Sequence, residues 1–287
     1  MKLRHYFKKA QKEKWALGQF NFSTLSQLKG ILFAAKELNS PIILGTSEGE
    51  ARFFGLEEIV NLVKFYQRKF KTPIFLNLDH GKDSNLIKKA IDLGYDAVHF
   101  DGSELPFKEN IKITKKVVKY AKKYGILVEG EVGRISTESS KVYQKKFKIK
   151  EADLTKPEDV KIFVKETNVD SLAVSIGTFH GVEITGINPK IQIERLKKIK
   201  NRAESAFLVL HGGSGTPGED IKEAIKFGIV KVNINTELRL AFTNTLKGFF
   251  KKNPEEITPY KFLPSVILAV EKVVKEKIKL FRSYNKK

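Results

Sequence analysis

Eight short apolar segments alternate with eight amphipathic ones along 287 residues. That alternation predicts an α/β fold, a (β/α)8 TIM barrel, whose usual size is about 250 residues. Two further observations point the same way. Eight such units fit the size of the chain, and several expected helices carry their own stop and start signals. The competing architecture is a doubly wound open sheet.

The expected strands, in order, are 16–22, 41–46, 73–78, 96–100, 126–132, 171–176, 206–210 and 229–234. Each is a short apolar run, as strands buried on both faces should be. Helical spacing fills 24–39, 57–70, 84–94, 109–124, 157–167, 191–199, 217–227 and 237–251. Gly94 and Gly125 stop two of these helices, and Thr155-Lys-Pro157-Glu158 reads as an N-cap with proline in the first turn. The tail 264–281 (PSVILAVEKVVKEKIKLF) is a further amphipathic helix, a packing or oligomer surface. No repeat or linker interrupts the pattern, so residues 1–287 are expected to form one barrel domain with 264–281 as its C-terminal extension. The longest insertion, 133–156, is rich in Ser, Thr and Lys, and loops of that length are usually functional or disordered.

Composition removes several classes of function. Lys plus Arg is 53 against 33 for Asp plus Glu, a formal charge of +20. That excess first suggests a non-catalytic polyanion- or RNA-binding protein. The lysine doublets are scattered over the expected outer helices, however, and form no single basic stripe. A hydrophobic content of 41 % argues against disorder. No apolar run reaches the roughly 18 residues of a membrane span, and the charged N-terminus lacks the apolar core of a signal peptide. A cytoplasmic location follows as the expectation. Without cysteine, any metal must be held by His, Asp or Glu.

Barrel enzymes carry their chemistry at the carboxyl ends of the strands. Those ends hold Asn21, Ser47, Asp79-His80, Asp101, Glu129, Glu131, His180, His211 and Asn233-Ile-Asn-Thr236. Three of the five histidines lie there, each followed by glycine: DHG, FHG and LHGG. A lone strand-end histidine is usually structural. Three on one rim beside carboxylates can converge as a His₃ site with an open fourth position, which suits catalytic zinc. His5 and His99 receive no role. The segment HGGSGTPGEDI (211–221) and NINTEL (233–238) each offer backbone N–H groups at a helix start, and loops seven and eight are the usual phosphate site of such barrels. A metal therefore pairs with a phosphate. Asp79 could be a ligand, a partner that orients one, a general acid/base, or a cap for the helix near Ser84.

With those residues in place, the chain resembles the metal-dependent class II fructose-bisphosphate aldolases, which include the tagatose-bisphosphate aldolases. The likeness runs from GQFNFSTLSQL (18–28) to NINTELRLAFT (233–243). It is carried by NLDHG (77–81), FDGSELPFKEN (100–110), EGEVG (129–133), AVSIGTFHG (173–181) and LHGGSG (210–215). The resemblance implies zinc on His80, His180 and His211, with Asp101 and Glu131 at positions of an alternative or second metal. It implies that Asp79 exchanges a proton with the C4 oxygen. Gly181, Gly212, Gly213, Ser214, Asn233 and Thr236 match the phosphate site of the ketone half, where a monovalent cation (Na⁺ or K⁺) can sit nearby. Ser47 and Arg239 match contacts to the aldehyde half and its distal phosphate. The implied reaction is reversible cleavage of fructose 1,6-bisphosphate, or of the tagatose isomer or another ketose phosphate, by a homodimer or homotetramer.

Two departures bear on substrate choice. The loop after strand five reads GRISTESSKVY (133–143), with no glycine pair, and Glu138 is the one acid available to move the proton at C3. Asn235 stands among the substrate-binding positions where many relatives have Asp. A rival mechanism keeps the reaction but uses Lys231 as a Schiff-base nucleophile. It would leave the three histidines without purpose, and an interior lysine paired with a carboxylate is the plainer expectation.

Overall fold

The computed structural model describes residues 2–135, 141–144, 149–185 and 188–287. Eight strands close into a parallel barrel: β1 (Leu17–Asn21), β2 (Ile42–Ser47), β3 (Ile74–Gly81), β4 (Ala97–Phe100), β5 (Leu127–Val132), β7 (Ser171–Val174), β9 (Phe207–Leu210) and β10 (Ile229–Ile234), with β10 pairing back onto β1. Two further short strands, β6 (Val142–Tyr143) and β8 (Val182–Glu183), pair with each other in parallel. The expected barrel is therefore present, and every expected strand lies within it. No helix among the described residues is long and apolar enough to cross a membrane.

Helices surround the barrel as the periodicity predicts, with two additions. Helix α1 (Leu3–Glu13) buries Leu3, Tyr6, Phe7 and Ala10, and α3 (Glu48–Phe54) follows β2 directly. Near the insertion, α7 (Pro157–Thr167) does start with proline, but Thr155 does not cap it. The Thr155 hydroxyl donates to the Val132 carbonyl and accepts from the Ser175 N–H, tying β5 to the segment after β7. The final helix, α11 (Pro259–Leu280), starts five residues earlier than expected and runs through Pro264. It packs along α2 (Leu25–Glu37), where a Cβ on Gly30 would come within 2.7 Å of the Ile267 carbonyl. Only glycine lets the two backbones approach so closely.

The core falls into two bodies. The larger lies between strands and helices and takes the outward residues of each strand, such as Phe20, Leu44, Leu76, Leu78 and Leu172. The smaller seals the foot of the barrel, where Leu17, Ile43, Phe75, Ala97, Leu127 and Phe207 meet Tyr6, Phe7 and Trp15. Since strand residues alternate faces, the next inward positions above that foot lie two residues further along each strand. They are Gln19, Gly45, Asn77, His99, Glu129 and Val209, with Lys231 from β10 beside Val209, and all of the polar ones are buried. The site stands on this polar layer.

Candidate functional site

Asp79 and His80 are adjacent on β3, so an ordinary strand would send them to opposite faces. The backbone solves this with a bulge. Leu78 pairs with Val98 and Gly81 with Phe100, leaving one extra residue on β3, and His80 adopts the left-handed region at φ 49°. Its N–H, lost to the ladder, donates to His99 Nδ1 at 3.2 Å. Asp79 and His80 thus share the rim because of a strained, over-determined turn. Asp83, not Asp79, caps the following helix α5 (Ser84–Leu93).

His80 stands within reach of both of the other expected histidines. His80 Nε2 lies 3.2 Å from His180 Nε2 and 2.9 Å from His211 Nδ1. Nitrogens bound tetrahedrally to one ion at about 2.0–2.1 Å would be spaced about 3.3 Å apart. The outer nitrogens are engaged by carboxylates: His80 Nδ1 by Asp101 Oδ2 at 2.8 Å, and His211 Nε2 by Glu129 Oε1 at 2.7 Å. A carboxylate on one ring nitrogen makes that nitrogen the N–H donor and turns the lone pair of the other inward. Imidazole nitrogens at such spacing require a positive centre between them, a proton on His80 Nε2 or a bound cation in its place, and nitrogen donors backed by carboxylates fit a divalent metal in that role. A second grouping, His80 with Asp101 and Glu131, also lies within 4.8 Å, as does Asp79 with His80, His99 and His211.

Electrostatics agrees. Burial opposes charge on His80, but Asp79, Asp101 and Glu131 outweigh it and hold its pKa up at about 10. Burial and the neighbouring His80 push His180 and His211 down. Burial would also raise Asp79, yet His80, His211 and Lys231 hold it well below the carboxylate range. Asp79 is further fixed by two amides, Asn21 Nδ2 to Oδ2 at 2.9 Å and Asn233 Nδ2 to Oδ1 at 3.0 Å. Lys231 Nζ sits 2.5 Å from Glu129 Oε2, fully buried, so the structure places it as the counter-ion of the carboxylate that orients His211.

A cavity of about 350 Å³ opens above the histidines. Of the expected substrate residues, Ser47, Gly181, Gly212, Ser214, Asn233, Asn235 and Thr236 line it. Gly213 does not, because its N–H donates to the Asn233 carbonyl at 3.2 Å. Gly212 holds φ 67°, and a Cβ there would lie 2.4 Å from the Phe179 carbonyl. Arg239 stands on α10 (Thr236–Lys252) outside this lining and pairs with Glu50 Oε1 at 2.7 Å. Glu138 lies outside the described residues.

Sequence reasoning missed four participants. Glu50 is buried, accepts from the Ser47 N–H in a capping box, and holds Asn21, Asn235 and Arg239. The Ser-x-x-Glu spacing was its signal. His99 lies in mid-strand, but two residues before Asp101 it shares that residue's inward face. Lys82 and Arg134 flank the cavity mouth, bridged by Glu104 at 2.7 and 3.1 Å. Scattered surface lysines gave no hint of that pair.

Comparison with known proteins follows the same lines. The family model described as fructose-bisphosphate aldolase class-II matches residues 1–286. The chain is 37 % identical to a fructose-bisphosphate aldolase of Geobacillus stearothermophilus, covering 99 % of this chain and 97 % of the relative. It is 38 % identical to a sulfofructosephosphate aldolase of Alkalicoccus urumqiensis, covering 96 % and 94 %. The crystal structure of the YdjI aldolase from Escherichia coli K12 superposes with a TM-score of 0.83 at 31 % identity, over 100 % of this chain and 98 % of that one.

Proposed function

The chain belongs to the class II fructose-bisphosphate aldolases, a family of metal-dependent enzymes, and from that premise we propose that it is a zinc-dependent aldolase acting reversibly on fructose 1,6-bisphosphate. The products would be dihydroxyacetone phosphate and glyceraldehyde 3-phosphate. The observation that carries this reading is that His180 and His211 each bring a ring nitrogen to His80 Nε2, beside Asp79 and beneath a cavity lined by the loops after β9 and β10. When bound by His80, His180 and His211, zinc would supply a Lewis acid for the C2 carbonyl and its neighbouring hydroxyl.

This chain's own residues do the rest. Gly181, Gly212, Ser214, Asn233 and Thr236 hold the phosphate of the ketone half, with Na⁺ or K⁺ as an accompanying ion. The buried side-chain oxygens of Asn233 and Asn235 have no partner among the described residues and suit hydroxyl donors of the sugar. Asp79, ionised and aimed by two amides, accepts the C4 hydroxyl proton as the C3–C4 bond breaks. The C4 oxygen becomes the aldehyde, and the bonding pair passes to C3. Glu138 is assigned the proton then needed at C3. Ser47 is assigned to the aldehyde half; Arg239, outside the cavity lining and held by Glu50, is assigned to the distal phosphate beyond it; and Asp101 and Glu131 offer the second metal position beside His80.

The test is a cleavage assay with fructose 1,6-bisphosphate, tagatose 1,6-bisphosphate and sulfofructose phosphate side by side, with and without chelator. Fructose 1,6-bisphosphate should show the highest kcat/KM, and chelation should abolish turnover until zinc is restored. Asp79→Ala should lower kcat by about 10²–10⁴-fold with zinc still bound. Chelator-insensitive cleavage, covalent trapping at Lys231 by borohydride, or near-normal Asp79→Ala would each reject this mechanism.

A further inference from the structure

Beneath Asp79 runs a one-way chain of buried amides. Asn21 Nδ2 lies between two carboxylates, 2.9 Å from Asp79 Oδ2 and 3.1 Å from Glu50 Oε2, so that end of the amide must be the NH₂. Asn21 Oδ1 therefore points down and accepts from Gln19 Nε2 at 3.2 Å. Gln19 Oε1 in turn accepts from Asn77 Nδ2 at 2.9 Å. None of the three amides is more than 1 % exposed, and the chain ends at Asn77 Oδ1, which has no partner among the described residues. Inward positions of barrel strands are usually bulky and aliphatic, so these amides replace side chains that would pack without cost to polar groups. Room for them comes from Gly45 on β2, where a Cβ would lie 2.1 Å from Asn21 Oδ1 and 2.8 Å from Gln19 Nε2.

We propose that Gln19 is a positioning residue for the cleavage step: it fixes which way the Asn21 amide faces, and through Asn21 it fixes the Asp79 carboxylate. Gln19 lies one layer below the cavity and does not line it. Its effect is directional. Were Gln19 an acceptor toward Asn21, the Asn21 amide would turn over and set its oxygen against Asp79 and Glu50. The Asp79 carboxylate would then lose one of its two amide donors and swing about the other, from Asn233. The inference rests on the proposed role of Asp79 at the C4 oxygen. It separates two steps, because proton exchange at C3 of dihydroxyacetone phosphate makes no use of that oxygen.

The experiment compares wild type, Gln19→Glu and Gly45→Ala as full-length zinc-loaded enzymes. Gln19→Glu preserves size but reverses the polarity of the link, whereas Gly45→Ala crowds the same amides from the neighbouring strand. Both should lose about 10²-fold in kcat for cleavage, the scale of a misplacement of about 1 Å. KM, zinc content and the C3 exchange rate of dihydroxyacetone phosphate in D₂O should stay within a few-fold. A space-filling role predicts instead that Gln19→Glu cleaves normally, and that result overturns the proposal. So does a parallel loss of cleavage, exchange and zinc. If Gln19→Glu fails to fold, Gly45→Ala carries the same comparison. Should wild type exchange C3 protons yet cleave none of the sugars, the fault lies with the assigned reaction. Crystal structures of wild type and Gln19→Glu then decide the positioning role, by whether the Asn21 amide and the Asp79 carboxylate turn.

Discussion

The foot of the barrel and the interior just above it are built by the same strands on the same face, yet they are chemically opposite. At the foot, Leu17, Phe75, Leu127 and Phe207 pack against α1, with Tyr6 and Phe75 rings 5.4 Å apart and Phe7 and Phe207 rings 5.3 Å apart. Two residues further along, the inward side chains are mostly polar, Gln19, Asn77, His99, Glu129 and Lys231, with Val209 the apolar member on β9. Strand geometry does not distinguish the two levels, so the change reflects what each level is for. The foot supplies burial, which is favourable and non-directional. The level above supplies direction: Glu129 orients His211, His99 receives the His80 N–H, and Gln19 orients Asn21. Buried polar groups of that kind seldom add net stability, even when fully paired.

The contrast breaks most visibly at Glu129. Glu129→Leu leaves Lys231 as an unpaired buried cation and frees the outer nitrogen of His211. A stability loss of about 3–5 kcal/mol is expected, together with a fall of about 10–100-fold in metal affinity or turnover. The double variant Glu129→Leu/Lys231→Met should regain wild-type stability in chemical denaturation while turnover stays low. Recovery of both would mean that the ion pair is an ordinary piece of packing.

At the foot the reverse should hold. Phe75→Ala removes a 4 % exposed ring from the contact with Tyr6, and large-to-small changes of this kind cost about 3–5 kcal/mol. Denaturation midpoints should fall by that measure, whereas kcat per folded molecule and zinc content should match wild type. A kcat that drops along with stability would show that the foot transmits strain to the histidines.

The two levels also differ in how readily they are read from sequence. The barrel was legible because strands covered on both faces appear as unbroken apolar runs, and the three histidines were legible because they end such runs. Helix α1 was obscured by its lysines, although Leu3, Tyr6, Phe7 and Ala10 carry helical spacing. The bulge that turns His80 toward the rim left no mark, since no glycine or asparagine occupies the left-handed position. His99 and Gln19 were hidden inside strands, where a polar residue reads as noise until inward and outward parity is assigned. Thr155 reads as a cap in the sequence because Ser and Thr before a Pro-led helix usually are caps. Its tertiary bonds to Val132 and Ser175 overrode that local preference.

The smallest expected effect sharpens the contrast through carboxylates alone. Above the foot, cations hold Asp79 and Glu129 below the usual range. At the lower end of β4, Asp96 has no ion-pair partner among the described residues, and burial pushes it up to about 6 despite the Leu76 N–H donated to it at 2.9 Å and the weaker pull of Lys64. A carboxyl with a folded pKa near 6 and an unfolded pKa near 3.9 binds its proton more tightly when folded. Its contribution to stability is therefore fully present below about pH 4 and is lost as the pH rises through 6. The loss is on the order of 1–3 kcal/mol. Asp96→Asn keeps an acceptor for the Leu76 N–H but cannot ionise, so it should match wild type at pH 4 and exceed it above pH 7. Each 1 kcal/mol corresponds to a rise of about 2–4 °C in Tm for a domain of this size. Thermal unfolding of the two proteins from pH 4 to pH 8 checks this. Curves that stay parallel across that range would mean that water reaches Asp96 and relieves the burial that raises its pKa.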